Sequence, residues 1–337
     1  MKKIPVQRSC LVLALLAALL PALLPVAAAE EPERVLRFGS DEAPSASASA
    51  GASVLRQELL EAVLELRPRA AEGEIAMVEP VVTVRLRGQV VGQLHGQERA
   101  APMPPDGVVQ IAELDPANPW PEVLLSSFTG GAHCCNSTVV LTSTPDGRRW
   151  RTVTLDLLDG GPEPARDPLG DGRWRIVTVD NRFLYRFACY ACSVAPVQVL
   201  ELRGENFVDV SAEPRFRPLF EQALAGMQPW FQERDPNSPN GFLAGWVATR
   251  ARLGEAAPAW AEMLRRYEAS SDWGLTECRA GFDGEGRCLA PEVRYPSFPA
   301  ALRAFLLEAG YLTPADLPAP VASEAAPGRA DPAGWGP

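Results

Sequence analysis

The stretch SSFTGGAHCCNST, residues 126–138, contains one of only two histidines in the chain, followed directly by two cysteines. His133 and the thiolates of Cys134 or Cys135 are ligand types that zinc prefers. In extended backbone, His133 and Cys135 would share one face, which also allows a histidine–thiol dyad. Cysteines outside the cytoplasm form disulfides instead. Three chemistries are therefore open for this stretch, and the compartment decides among them.

A second stretch, CYAC, places Cys189 and Cys192 three residues apart, with Tyr190 between them. A pair with this spacing can complete a zinc site with His133. It can also act as a thioredoxin-like redox pair, but such a pair needs the start of a helix to stabilise its thiolate. The strand-like sequences FLYRFA and SVAPVQVLEL flank CYAC. These flanks argue against the redox interpretation.

The N-terminus predicts export. Basic residues precede the apolar run LVLALLAALLPALLPVAAA, which ends in small residues. This order is typical of a secretory signal peptide, here residues 1–29, with cleavage after Ala29. A membrane anchor is the alternative, but Pro21 and Pro25 would break its helix. We expect a periplasmic or secreted protein with no membrane span after cleavage.

Export favours disulfides among the six cysteines that remain when Cys10 is lost with the leader. Cys278 and Cys288 bracket the glycine-rich loop RAGFDGEGR, which predicts a local bond. Adjacent Cα atoms lie only about 3.8 Å apart, below the usual disulfide range. Bonds between the two motifs are therefore favoured over two local rings for the remaining four: Cys134, Cys135, Cys189 and Cys192.

Charge and motif content restrict the function. The net charge of −10 argues against nucleic acid, which binds through clustered Lys and Arg. Ser126, Ser127 and Ser137 lack the sharp glycine-flanked turn of a hydrolase nucleophile. No pair of catalytic carboxylates can be singled out. A noncatalytic protein is favoured, and a hydrolase with an unrecognised site is a further alternative.

The hydrophobic pattern predicts an α+β protein in which an antiparallel β-rich region, a sandwich or part of a propeller, precedes a small helical region. Period-two alternation, as in VVTVRLRGQVVGQL, predicts the strands, and segments such as NGFLAGWVATRARLG predict the helices. The predicted divisions are a disordered lead-in (30–53), a helix with its connector (54–79), the β-rich domain (80–211), the helical region (214–312) and a disordered tail (313–337).

Two acidic turns resemble the FG-GAP (VCBS-type) repeat, in which an Asp-rich turn precedes an apolar strand. DPLGDG keeps Asp167 and Asp171 but has Leu169 where the repeat has a carboxylate, and ELDPANPWPE (113–122) is one residue too long. The resemblance implies propeller-like blades and a calcium-binding loop. Calcium needs six to eight oxygen ligands, so Asp167 and Asp171 are only weak candidates.

FTGGAHCC, with the later FLYRFACYACS and FVDVS, resembles a group of exported bacterial proteins that carry such repeats. The resemblance extends over about residues 80–310. It implies export and a β-rich fold, and it implies no reaction.

These observations predict a noncatalytic binding or scaffold protein of the cell envelope, with an envelope protein or a glycan as ligand. Its recognition surface would contain Gly130, Gly131, His133 and Tyr190, in loops at one end of the sheet. The alternative is a thiol-redox or metal-handling protein that uses the same cysteines and His133. We expect no cofactor, with calcium or zinc as the alternatives.

Overall fold

A computed structural model describes residues 34–39, 52–69, 76–100, 103–131, 134–232, 239–317 and 328–329. The predicted signal peptide and His133 lie outside the described residues, as do most of the predicted lead-in and tail.

The described chain forms sixteen strands and four α-helices. The strands are β1 (Val35–Phe38), β2 (Ser53–Gln57), β3 (Leu60–Arg69), β4 (Met77–Leu86), β5 (Gln89–His95), β6 (Arg99–Ala100), β7 (Gly107–Ala112), β8 (Glu122–Phe128), β9 (Cys134–Ser143), β10 (Trp150–Asp159), β11 (Ile176–Val179), β12 (Val197–Arg203), β13 (Asn206–Asp209), β14 (Thr276–Glu277), β15 (Val293–Arg294) and β16 (Gly328–Arg329). The helices are α1 (Arg217–Gln232), α2 (Pro239–Arg252), α3 (Ala256–Arg266) and α4 (Phe298–Glu308).

The central sheet is antiparallel, with strand order β1-β7-β8-β9-β10. Both of its faces are covered, which explains why β7 is buried along its whole length. In β8, Val123 and Leu125 point to one apolar cluster and Leu124 to another. Period-two alternation thus sends successive side chains into two different cores.

The outer sheet, β2-β3-β4-β5 with β6 on β4, covers one face of the central sheet. The small sheet, β11-β12-β13, covers the other face. The far side of the small sheet packs on the helices through Val199, Phe216 and Phe220. The order of layers is therefore outer sheet, central sheet, small sheet and helices.

The helical layer has its own core around Trp260, Phe298 and Leu302. Two aromatic side chains from the segment after β11, Phe183 and Phe187, are buried in it. The predicted α+β class, a β-rich region followed by a small helical region, is confirmed. The described sheets form layers and no closed barrel.

The predicted helix within residues 54–79 is wrong, because β2 and β3 form a hairpin there. Its turn includes Glu58 at φ 50°, and the buried residues of β3, Leu60, Ala62 and Leu64, alternate. The segment SVLRQELLEAVLEL carries apolar residues at both helical and strand spacings. Pairing of β3 with β4 over ten residue pairs decides in favour of the strand.

Two short strands lie in segments predicted to be disordered. β1 pairs with β7 at the edge of the central sheet, and its Phe38 is buried against the outer sheet. β16 pairs with β15, and Leu317, at the start of the predicted tail, is buried in the helical core. The low-complexity composition of the surrounding residues predicted disorder, and the short strands within these segments were therefore not predicted.

None of the helices in the described ranges has the length and apolar character that a membrane span requires.

Candidate functional site

The CYAC motif lies in the segment from Asp180 to Pro196, which leads from β11 back to β12. Two short 3-10 helices, Asn181–Phe183 and Tyr190–Cys192, interrupt this segment. Phe183 of the first 3-10 helix and Phe187 after it anchor the segment in the helical core, whereas Tyr185 is 49% exposed. The segment therefore connects two layers and presents aromatic side chains to solvent.

Several contacts fix this segment. Cys189 and Cys192 form a disulfide, with their Cα atoms 5.1 Å apart. The Ser193 hydroxyl donates to the Cys189 carbonyl and accepts from the Tyr185 N–H, at 2.9 and 3.2 Å. In α2, a Cβ on Gly241 would lie 2.6 Å from the Cys192 carbonyl oxygen, so only glycine allows the helix to approach this closely.

The favoured pairing between the two motifs is wrong for Cys189 and Cys192, which bond to each other. The 3-10 turn brings their Cα atoms into disulfide range, which an extended strand would not do. Cys135 is also disulfide-bonded. Cys278 and Cys288 form the expected local bond, with their Cα atoms 5.6 Å apart.

The TGGAHCC loop is closed at its base by Thr129 and Cys135. The Thr129 N–H and hydroxyl both donate to the Cys135 carbonyl at 2.9 Å. Gly130 and Gly131 are exposed, and Gly130 has φ +91°. A Cβ on Gly130 would lie 2.7 Å from Nη1 of Arg99, whose guanidinium group stacks on Phe128.

The two motifs approach each other at Asp159. The Tyr190 hydroxyl donates to the Asp159 carboxylate, 2.9 Å from each oxygen, and the buried surroundings and this bond raise the pKa of Tyr190. Asp159 is the register partner of Cys134 at the start of β9. Asn136 stabilises this end of β10 by donating to the carbonyls of Asp159 and Gly161. Both loops therefore lie at one end of the central sheet.

Tyr185, an exposed aromatic residue, lies beside Tyr190 and contacts a second exposed aromatic residue, Trp273. The rings of Tyr185 and Tyr190 are 5.6 Å apart between centroids and tilted by 39°. The indole N–H of Trp273, which is 45% exposed, donates to the Tyr185 carbonyl at 2.9 Å. We call Tyr185, Tyr190 and Trp273 the aromatic surface. Sequence reasoning identified only Tyr190, since Trp273 lies 83 residues further on.

The weak calcium candidates both face an arginine. Arg175 donates to both oxygens of the Asp171 carboxylate, at 2.9 and 2.8 Å, and lies 3.8 Å from Asp167. The Arg175 bonds hold the pKa of Asp171 below its usual range. Asp167 accepts from the backbone N–H groups of Asp171 and Gly172. The guanidinium group supplies the positive charge of this turn.

Arg175 also donates to Glu201, at 2.9 Å, and both side chains are fully buried. Three further arginines, Arg173, Arg203 and Arg215, reach the same Glu201 carboxylate at 3.1, 2.9 and 2.8 Å. Buried charges need such partners. The network stabilises the small sheet, and the carboxylates of Asp167, Asp171 and Glu201 all contact Arg175.

The other acidic turn is organised by Glu122. Its buried carboxylate accepts from the N–H groups of Leu114 and Asp115, from the Asn118 amide and from the Thr142 hydroxyl, at 2.7–3.0 Å. Burial raises the pKa of Glu122 to about 7, against the effect of these four donors. Glu122 thus holds the loop before β8 to the central sheet.

Within the described ranges, no group of three or more His, Cys, Asp or Glu side chains is arranged to hold a metal. The sulfurs of Cys189 and Cys192 are bonded to each other and are not available as zinc thiolates. His95, the histidine in the described part, contacts Glu79 at 2.9 Å on the outer sheet.

Comparison with known proteins gives two relatives and one family. The family described as the sll0997 C-terminal domain matches residues 220–310, which contain most of the helical layer. Over 235 residues, 69% of this chain and 68% of the relative, the chain is 44% identical to the probable thylakoid lumen protein sll0997 of Synechocystis sp.. Over 239 residues, 70% of this chain and 37% of the relative, it is 36% identical to the uncharacterized protein y4bJ of Sinorhizobium fredii. No solved structure matches the chain.

A lumen is an exported compartment, and the described residues contain two complete disulfides. Both findings agree with the predicted leader: the protein is periplasmic or secreted. The FG-GAP resemblance stays a prediction, since the matches show a different family. By its similarity to the Synechocystis protein over two thirds of both chains, the chain belongs to the family of sll0997-like proteins.

Proposed function

We propose that the protein is a noncatalytic binding protein of the cell envelope, and that the aromatic surface with the neighbouring Gly130–Gly131 loop is its recognition site. One observation carries this proposal: the exposed ring of Tyr185 stands on a segment that a disulfide, the Ser193 hydroxyl and the close approach of α2 at Gly241 hold in place.

Exposed aromatic residues are informative because Tyr and Trp bury large areas on binding at small cost in conformational entropy. Tyr185 and Trp273 leave nearly half of their surface in solvent. Their backbone and indole contacts fix the rings before any ligand arrives. Such preorganisation reduces the entropy that binding must overcome.

The remainder of the chain acts as a scaffold in this proposal. The two acidic turns would be modified FG-GAP-type turns, in which Arg175 and the donors around Glu122 provide the positive partners. A scaffold held this way would keep its loops in place in calcium-poor surroundings.

Cosedimentation of the full-length mature protein with isolated cell envelopes tests the proposal. We expect saturable binding that the double variant Tyr185→Ala/Trp273→Ala abolishes. The matched control is Phe282→Ala, which removes another exposed aromatic ring, 63% exposed, from a different loop. Equal sedimentation of all three proteins would refute the recognition site.

A thiol-redox protein is the second candidate, because Cys189 and Cys192 form their bond at the same surface and are both partly exposed. An insulin-reduction assay separates the two functions. A redox protein would lose all activity on Cys189→Ser, whereas the binding role expects no reductase activity in the wild type.

A further inference from the structure

The composition of the aromatic surface indicates one class of ligand. We propose that it binds a neutral oligosaccharide of pyranose rings, such as a β-1,4-linked glucose or N-acetylglucosamine chain. This inference rests on the binding function proposed above and specifies its ligand.

The first argument is shape. Pyranose rings with equatorial substituents have C–H groups on both faces, which pack on aromatic faces. The rings of Tyr185 and Tyr190 lie side by side, with centroids 5.6 Å apart and planes tilted by 39°, and the Tyr185 ring is exposed. Trp273 adds a third ring next to Tyr185. A chain of flat, rigid rings fits such a surface better than a single small molecule, which needs enclosure.

The second argument is hydrogen bonding. Among the described side chains, the Asp159 carboxylate accepts one hydroxyl, that of Tyr190, and a carboxylate offers about four acceptor positions. Asp159 is only partly buried, so sugar hydroxyls can reach the remaining positions. Gly130 and Gly131 are exposed, and they follow Thr129 in the loop whose base is closed by the hydrogen bond from Thr129 to Cys135. Aromatic faces around a hydroxyl acceptor suit a polyol.

The third argument is charge, and it favours a neutral glycan over an acidic one. Two described arginines of the segment are already paired: Arg182 with Asp180 at 2.6 Å, and Arg186 with Glu277 at 3.1 Å. The Asp159 carboxylate beside the rings is only partly buried. A uronate or phosphate next to Asp159 would be repelled, and a neutral sugar would not.

The fourth argument is backbone strain. Tyr185 has φ +60°, a left-handed conformation that is unfavourable for a non-glycine residue. Its N–H bond to Ser193 and its carbonyl bond to Trp273 maintain this conformation. Strain that the surroundings hold in place is found at functional sites. Here it turns the Tyr185 ring outward, beside Tyr190.

Titration of the full-length mature protein with defined hexasaccharides, followed by tryptophan fluorescence and calorimetry, tests the proposal. The probes are cellohexaose, hexa-N-acetylchitohexaose and, as the acidic control, hexagalacturonate. We expect saturable binding of at least one neutral probe and none of hexagalacturonate. Trp273→Ala should weaken binding about 5- to 10-fold, as expected for the loss of one aromatic contact. Phe282→Ala should leave it unchanged.

The outcomes separate this inference from the proposed function. Envelope binding that depends on Tyr185 and Trp273, without binding of either neutral probe, would overturn the sugar assignment and keep the recognition site. Tighter binding of hexagalacturonate would also overturn it. Tyr185→Gly keeps the backbone conformation and removes the ring, so it should lose affinity while its unfolding curve stays close to that of the wild type.

Discussion

Arg175 is the residue whose replacement should destabilise the protein most without touching the recognition surface. Arg175→Met keeps much of the aliphatic volume and removes the guanidinium group. The change leaves Asp171 and Glu201 without a shared partner, and it removes the contact of the guanidinium group with the Phe216 ring.

The expected magnitude follows from the burial of each partner. Breaking a buried ion pair costs about 3–5 kcal/mol. Asp171 is 40% exposed and water compensates for part of its loss, while Glu201 keeps the other three arginines. Both facts favour the lower limit of this range, so we expect Arg175→Met to lower the free energy of unfolding by about 3 kcal/mol. For a domain of this size that corresponds to a fall in Tm of roughly 6–12 °C.

The matched control is Arg203→Met, which removes a second arginine from the same Glu201 carboxylate. Arg203 is 48% exposed, and exposed pairs contribute about 0–1 kcal/mol. Urea unfolding of both variants, monitored by circular dichroism, measures the difference. Equal losses, or a loss below 1 kcal/mol for Arg175→Met, would show that burial does not determine the strength of this network.

The same variant tests why the turn resembles a calcium loop. With the guanidinium group removed, the carboxylates of Asp167 and Asp171 would lose the cation that they share, while Glu201 would keep its other three arginines. We expect millimolar Ca²⁺ to raise the Tm of Arg175→Met and to leave that of Arg203→Met unchanged. No response in either variant would mean that the turn lacks the oxygen geometry for calcium.

Three further changes test other parts of the structure. Burial raises the pKa of Glu122 from 4.5 to about 7, so between these pH values the folded state binds a proton that the unfolded state releases. The free energy of unfolding should therefore fall by up to about 3 kcal/mol as the pH rises from 4.5 through 7. Glu122→Gln should remove most of this fall, as measured by urea unfolding at a series of pH values. Gly241→Ala should cost about 1–3 kcal/mol, because its Cβ would overlap the CYAC loop, whereas Gly226→Ala, with no atom within 4 Å, should stabilise α1 slightly in the same assay. Cys278→Ser should lower the free energy of unfolding by about 2–3 kcal/mol, the loss for a loop of ten residues, and dithiothreitol should then add nothing at this bond.

The sequence predicts the layers well where the length of an apolar segment settles its type. β7 and β8 are short apolar runs, which favour strands, whereas α2 and α4 are longer apolar segments, which favour helices. The segment of β2 and β3 carries both periods, and only its pairing with β4 decides between them. Local pattern cannot supply that information.

The candidate site is harder to predict because its parts come from distant segments. Tyr190 and the Gly130–Gly131 loop could be chosen from their motifs, but Asp159 and Trp273 stand in no motif. Arg175 follows the DPLGDG turn by three residues, and nothing in the spacing shows that its side chain turns back onto Asp171. A positive residue after an acidic turn is a useful signal that the turn has its own cation.

The segment that presents the aromatic surface also joins two layers, and this double role determines which variants are informative. Phe183 and Phe187 enter the helical core, while Tyr185 on the same segment is exposed and Tyr190 is half-buried beside it. Replacing a buried phenylalanine would cost about 3–5 kcal/mol and displace the outer rings as well. Loss of binding in such a variant would therefore say nothing about contact with a ligand. Truncating the exposed Tyr185 ring removes contact area and leaves these anchors and the Trp273 bond to the Tyr185 carbonyl in place, so unfolding and binding should respond independently at Tyr185.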